Sequence, residues 1–351
     1  MITLGIETSC DETSVAVLKD GREILSNVIF SSLKEHKAFG GVVPEIASRA
    51  QLETVLACLD VAMKKARVTL ENLDLIAVTQ GPGLMGSLLV GLSAAKALAF
   101  SLKKPLVGVD HVIAHAYSGF LSDPSIRFPC LGLVISGGHT LLVKMTSPSR
   151  VKILGRTIDD AAGEAFDKVA KILGLGYPGG PEIDRLSRGQ DTNRSYFTRP
   201  FLSNDSLNFS FSGIKTAVFY KVEKLKKKKL LTNSAKKAVC AGFQEAVCDV
   251  LVKKSLRAAK AHGLGTLVVG GGVSANSRLR EKLKKAAAGE GITVVFPPLA
   301  FCQDNAAMIA GLGTALYEEG RRDTLDLSSY PDFSKYHLND AHSTKEVPDA
   351  R

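Results

Sequence analysis

Apolar residues run in short β-type stretches at the start of the chain and at helical spacing further on. Ile2 to Ile6 and Ser14 to Leu18 are β-rich, and Asp20-Gly21 is a turn signal leading into a third run at Glu23 to Phe30. Leu52, Val55, Leu56, Leu59 and Met63 then fall on one face of a helix over Ala47 to Ala66. Leu75 to Val78 predicts a buried strand, Leu84 to Ser101 a helix, Pro105 to Val109 a strand and His111 to Leu121 a helix. The same order recurs. Cys130 to Ile135, Thr140 to Met145 and Val151 to Thr157 read as strands, and Ala161 to Leu173 as a helix. After an insertion come a helix from Ser234 to His262, a strand at Thr266 to Val269 and a helix near Ser274 to Ala288. A strand at Thr293 to Phe296 and a helix from Gln303 to Tyr317 follow. Two copies of βββαβαβα imply a duplicated α/β unit with a mixed sheet in each half and a ligand cleft between them.

The expected division is an N-terminal lobe over 1–121 and a C-terminal lobe over 122–317 with an insertion at 174–233. The segment 318–351 is a candidate to complete the first lobe. The insertion is rich in Gly, Pro, Ser and Asn and ends in the run Lys226 to Lys229, which is either a solvated face or an RNA contact. The tail after Asp323 is polar and expected to wrap the surface or move.

Composition narrows the class. The 351 residues are 45% apolar and 23% charged, a globular balance that excludes a disordered chain. Six cysteines without a CxxC pair suit reduced thiols and argue against a disulfide scaffold or a four-cysteine zinc site. The N-terminus meets Glu7 too early for a secretory segment, and Leu84 to Phe100, with Lys96 inside it, reads as a buried helix rather than a membrane span. The chain is therefore expected to be soluble and cytoplasmic, with no membrane partner. Its 45 Lys and Arg against 35 Asp and Glu give +10, which permits a polyanionic partner such as nucleic acid.

Three glycine- or acid-bearing turns face the expected cleft. Val134-Ile135-Ser136-Gly137-Gly138-His139 joins two strands, where glycines let backbone N–H groups approach a phosphate. Its counterpart in the first half is the hydroxyl-and-acid turn Gly5 to Ser14, which carries Asp11 and Glu12. Gly270-Gly271-Gly272 leads into Asn276 at a helix start, but without the GxxxxGK[ST] pattern of a P-loop. His111 and His115 are four apart on one helix face and could share a metal; two helix histidines so spaced by coincidence is the plainer alternative. Asp304, after the last strand of the second half, would approach them from across the cleft, or else serve as a helix N-cap. Two imidazoles and a carboxylate suit Fe(II) or Zn(II) better than Mg(II). Val112 stands where HExxH would need its glutamate, which removes a zinc-protease reading. Glu164, Asp167, Glu182 and Asp184 are further acids on the cleft side, able to accept from ribose hydroxyls or merely solvated.

Several motifs in order carry a resemblance: GIETSCDETSVAV, GGVVPEIASR, TQGPGLMGSL, DHVIAHAYS, LVISGGHT, AGEAFDKVAKILGLGYPGGPEID, FSFSGIKT, VVGGGVSAN and CQDNAAMIA. From Met1 to about Tyr317 the chain resembles the bacterial tRNA N6-adenosine threonylcarbamoyltransferases (TsaD, YgjD or Gcp), once described as O-sialoglycoprotein endopeptidases. The resemblance implies an α/β fold of two duplicated actin/sugar kinase/Hsp70-like (RNase H-like) lobes with a nucleotide and metal site in the cleft. It implies transfer of threonylcarbamoyl from threonylcarbamoyl-AMP to N6 of adenosine 37 in tRNAs reading codons that begin with A. By the same resemblance one divalent metal, Fe(II) first and Zn(II) second, is held by His111, His115 and Asp304. Val134, Ile135, Ser136, Gly137, Gly138, Asp167, Gly180, Asp184 and Asn276 would bind the adenylate, and Asp11, Glu12 and His139 would line the active site. TsaB and TsaE are the implied partners, with TsaC making the adenylate. Gln51 departs from the histidine that many relatives have there.

A carbamoyl–phosphate anhydride is already activated, so the absence of a Ser-His-Asp or Cys-His set in the sequence is expected. Catalysis would rest on positioning and charge stabilisation, with Asp11 or Glu12 accepting the N6 proton. The rivals are a kinase or ATPase of the same fold group, which would hold Mg(II) with carboxylates, and a non-catalytic nucleotide-binding scaffold.

Overall fold

A computed structural model of the chain describes residues 1–190, 197–200 and 205–332. The first half contains β1 (Ile2–Glu7), β2 (Glu12–Lys19), β3 (Glu23–Ser31), α1 (Leu33–His36), α2 (Pro44–Ala66), β4 (Leu75–Gly81), α3 (Met85–Leu102), β5 (Leu106–Asp110) and α4 (His111–Tyr117). The second contains β6 (Cys130–Ile135), β7 (Thr140–Met145), β8 (Val151–Arg156), α5 (Ala162–Leu173), α6 (Gly179–Ser187), α7 (Ser212–Lys227) and α8 (Asn233–Ala261). It continues through β9 (Thr266–Gly270), α9 (Ser277–Ala288), β10 (Thr293–Val295) and α10 (Ala306–Glu318).

The two sheets have matching strand order, β3-β2-β1-β4-β5 and β10-β9-β6-β7-β8 read from opposite edges. In each, three antiparallel strands are followed by two parallel ones, as the pairings of β1 with β2 and β4, and of β6 with β7 and β9, show. Parallel strands need covered faces, which is why β4 and β5 are almost wholly apolar and buried. α2 and α3 cover one face of the first sheet through Val55, Cys58, Ala62, Leu92 and Ala95. α5 and α8 cover one face of the second through Phe166, Val169, Phe243 and Val247.

The remaining layer is shared. α4 packs on β6 and β9 of the second sheet, while α10 packs on β1, β2 and β4 of the first, and the two helices touch each other. One apolar core therefore runs from Val107 and Val109 through Ile113 to Val134 and Val268, with Met308 and Leu312 in the same cluster.

The described part of the insertion holds α6 and α7. Ile214, Val218 and Val222 form a buried stripe four residues apart that the flanking lysines and serines obscure. Residues 191–196 and 201–204 of the insertion, and 333–351 of the tail, lie outside the described residues. One expectation needs correction: α3 is not a buried helix. It alone among the described residues has the length and apolarity to cross a membrane, yet only a third of it is buried, and it packs one face on β4 and α2. Met85, Leu89 and Phe100 on its other face are exposed.

Candidate metal centre and nucleotide cleft

α4 begins directly at the end of β5, so its first turn lies at the carboxyl edge of the first sheet. Asp110 caps it, Oδ1 accepting from the Ile113 N–H at 2.8 Å. His111 and His115 then project one turn apart, with ring centroids 4.7 Å apart. Gly270 of β9 lets the helix sit this close to the second sheet: a Cβ there would lie 1.9 Å from the His115 carbonyl oxygen.

Asp304 comes from the other half. Its carboxylate is not the α10 cap, because Asn305 does that work by accepting from the Met308 N–H at 3.1 Å. Asp304 Oδ1 instead lies 3.0 Å from His115 Nε2 and 3.6 Å from His111 Nε2. One ligand atom from each of the three residues falls within 4.8 Å of the others. Tetrahedral ligands at about 2.0 Å from a metal stand about 3.3 Å apart, so these separations bracket a coordination shell.

The surroundings suit a cation. His111 Nδ1 meets Glu7 Oε2 at 2.9 Å and Ser9 Oγ at 3.1 Å, which orients the ring and turns Nε2 towards Asp304. Glu7 is fully buried and fixed in turn by the Ser9 N–H and the Thr79 hydroxyl, both at 2.5 Å. His115 Nδ1 is buried without a hydrogen-bond partner. Burial pushes the His111 pKa down, but Glu7 and Asp304 outweigh it and raise the imidazole to about 9. Burial likewise pushes Asp304 up, and His111 and His115 bring it well below the usual carboxylate range. The proton facing Asp304 on Nε2 is the one an entering cation displaces.

The acid turn sits beside this trio. Asp11 lines the cleft together with Ser9, His111, Ser136, Gly137, Gly138, His139, Asp167 and Asp304. Glu12, next to Asp11 but outside that lining, accepts from Ser31 Oγ at 3.2 Å. Burial, reinforced by Asp304 and Asp11, pushes it up to about 10, so it holds its proton at neutral pH. Burial, with His111 and His115 nearby, lowers His139 to about 4 and keeps it neutral.

The expected adenylate residues divide. Gly137, Asp167, Gly180, Asp184 and Asn276 line one pocket, and Ser136 and Gly138 line the neighbouring cleft that holds Asp11, His111 and Asp304; Gly137 and Asp167 border both. Val134 and Ile135 do not join them through their side chains, which are fully buried in the strand β6 core; a strand facing two packed layers has no side chain to spare for a ligand. Asn276 is committed to structure as well, capping α9 through Leu279 N–H and donating to Gln244 Oε1 at 2.8 Å. Asp167 accepts from the Gly179 N–H at 2.7 Å, and Asp184 from Ser277 Oγ at 2.8 Å.

Sequence reading missed Glu7, an acid ending an otherwise apolar strand, and Asp110, which ends β5 in the same way; both were visible as charges where burial is expected. It also left Gln51 without a role. The Gln51 side chain is buried, and its Nε2 donates to the Cys10 and Glu12 carbonyls at 2.9 and 3.0 Å, bracketing Asp11.

Two lobes of like topology, meeting at a glycine turn and a two-histidine, one-carboxylate cluster, define the fold of the actin, sugar kinase and Hsp70 group. The fold matches the solved structure of full-length HypF over 91% of this chain and 46% of that one, with a TM-score of 0.62 at 13% identity. It also matches component A of the Acidaminococcus fermentans (R)-2-hydroxyglutaryl-CoA dehydratase, with a TM-score of 0.51 at 18% identity over 90% and 97% of the two chains. The particular family is closer in sequence. Residues 23–311 match the model of TsaD, tRNA N6-adenosine threonylcarbamoyltransferase. Proteins of that name from Thermosipho africanus and Bacillus subtilis are 51% and 50% identical, over 94% of this chain and 99% and 95% of theirs. The chain belongs to the TsaD family.

Proposed function

We propose that this chain transfers the threonylcarbamoyl group of threonylcarbamoyl-AMP to N6 of adenosine 37 in tRNAs that read codons beginning with A. Membership of the TsaD family supports the reaction, and the observation that carries the site is the convergence of His111, His115 and Asp304 beside the Ser136–Gly138 turn. These three side chains would hold one divalent cation, Fe(II) in preference to Zn(II), and the cation would supply Lewis-acid stabilisation of developing negative charge. Gly137 and Gly138 have open space where a Cβ would stand, so their backbone can approach the AMP phosphate. Asp167 and Asp184, which line the neighbouring pocket, would accept from the ribose hydroxyls.

Adenine N6 must lose a proton as it attacks the carbamoyl carbon. Asp11 is the better acceptor, because it lines the cleft while Glu12 does not and already carries a proton. His139, neutral, can donate to the carbonyl oxygen. A kinase of this fold would hold Mg(II) through carboxylates, and the paired imidazoles disfavour that reading.

The implied partners TsaB and TsaE enter at the same level of inference. Leu52 and Leu56 on α2, with Leu89 and Phe100 on α3, leave a wide exposed apolar face that a protein partner such as TsaB would cover. Lys226 to Lys229, exposed at the end of α7, are candidates for tRNA phosphate contact. We place the enzyme in the cytoplasm and cut the lobes at 121/122, with the segment from 318 completing the first.

The test is reconstitution with unmodified tRNA, threonylcarbamoyl-AMP and the metal-loaded chain with TsaB and TsaE, read by nucleoside mass spectrometry. Modified adenosine is expected; its absence with metal bound would falsify the transferase reading.

A further inference from the structure

The chain does not leave the site after α10. It returns along the first sheet, where the Asp323 N–H donates to the Leu106 carbonyl at 2.9 Å and Asp323 Oδ2 accepts from the Gly108 N–H at 2.8 Å. Gln80 Nε2 then donates to the Ser328 carbonyl at 2.9 Å, and the Tyr330 N–H to the Gln80 carbonyl at 3.2 Å. The Gly83 N–H reaches the Pro331 carbonyl at 3.3 Å, and Pro331 forms part of the cleft wall that also contains His111 and Asp304. A polar segment is thus fastened, bond by bond, across the ends of β4 and β5.

Its last fastening reaches the metal helix. The Tyr330 hydroxyl donates to Asp110 Oδ2 at 2.7 Å, while the other oxygen of the same carboxylate caps α4. Asp110 is almost wholly buried, so each of its oxygens needs a donor, and Tyr330 supplies the one that the helix does not. A carboxylate held at both oxygens cannot rotate, and the helix start it caps is His111 itself.

We propose that Tyr330 is a positioning residue for the candidate metal centre: through Asp110 its hydroxyl sets the pose of the α4 first turn and so the angle at which His111 and His115 meet Asp304. The proposal rests on the reading that this trio binds a metal. It makes the stretch from Asp304 to Pro331 a clamp: one end provides the carboxylate ligand, the other steadies the helix that carries both imidazoles.

The test uses the full chain, stripped of metal by chelation and titrated with Co(II), whose visible absorption reports ligand number and geometry. Tyr330→Phe, which removes only the hydroxyl, should bind Co(II) about tenfold more weakly, the lower end of what outer-shell changes do. Its absorption band should shift, and its metal-free form should stay folded with a lowered melting temperature, because one oxygen of the buried Asp110 loses its donor. In an Asp110→Asn background the same substitution should add less than twofold, because the shared partner is already altered. Wild-type affinity and spectrum in Tyr330→Phe would overturn the proposal, as would full additivity with Asp110→Asn. If wild type takes up no Co(II), or His111→Ala binds it equally well, the metal reading itself fails and the positioning role falls with it.

Discussion

α4 and α10 stand at the same place in the two halves, each following the outermost parallel strand of its sheet, yet they use their first turns differently. In α4 the cap comes first and both candidate ligands lie inside the helix, one turn apart. In α10 the candidate ligand comes first: Asp304 sits in the joint before Asn305, which caps. Each helix also leaves its own sheet to pack on the other one. The site therefore forms where two exchanged helices begin. One contributes ring nitrogens at a spacing the helix dictates, the other a carboxylate oxygen from the residue just before its cap. In both helices capping and candidate ligation fall to different, adjacent residues.

The sharpest break of that comparison is a pair of substitutions in α10. Asp304→Ala should leave the chain folded, without bound metal and without detectable modified adenosine. Asn305→Ala should instead cost about 1 kcal/mol of stability, as lost caps do, while metal stoichiometry stays at wild type. Metal analysis and thermal melts of the two variants decide it, and equal metal loss in both would unite the roles that the hydrogen bonds separate. Next in size is the seat of α4. Gly270→Ala forces a methyl against the His115 carbonyl, so the helix or β9 must move. Overpacking of this kind costs about 1–3 kcal/mol, and here the displaced helix carries both imidazoles, so Co(II) affinity should fall together with the melting temperature. A lower melting point with unchanged affinity would show that α4 moves as a rigid piece with its ligands.

Much of this was legible in the chain itself. Strands such as Cys130–Ile135 and Thr140–Met145 appear where short apolar runs and the Gly137-Gly138 turn put them, because both faces of each are buried. The duplication showed in element order, and the i,i+4 spacing placed both imidazoles on one side of α4. What stayed hidden depends on partners distant in sequence. That α4 and α10 swap sheets follows from which apolar faces meet, and both helices read alike in isolation. The burial of Glu7 beneath His111, and the span from Tyr330 to Asp110 across 220 residues, leave no periodic trace. α7 was missed for another reason: three buried residues among lysines carry too weak a stripe to outweigh the polar composition around them.

The comparison sharpens further in what lies under the two halves of the cleft. In the first half, Gln51 secures the acid turn from outside with two hydrogen bonds. Gln51→Leu keeps the volume but leaves the Glu12 carbonyl without that donor, freeing Asp11 to drift. Transfer in single turnover should slow about tenfold at full metal occupancy, since misplacing a reacting group is costly even when nothing else is lost.

In the second half the equivalent bracing is ionic. Asp160 joins Lys168 of α5 at 2.7 Å to Lys215 of α7 at 2.6 Å, and Lys168 lies in the cleft wall. Burial pushes the Asp160 carboxyl up, but the two lysines outweigh it and hold it below its ordinary value. A carboxylate whose pKa is lower in the folded than in the unfolded chain stabilises the fold above about pH 4, and that contribution is lost as pH falls through the folded value. The lysines are partly exposed, so the effect is modest and screened by salt. Wild type should therefore melt above Asp160→Asn at neutral pH, with the gap closing as pH drops towards 3 and narrowing in high salt. A gap that is constant across that range would mean that Asp160 braces the wall by shape and hydrogen bonding, as Gln51 does, and not by charge.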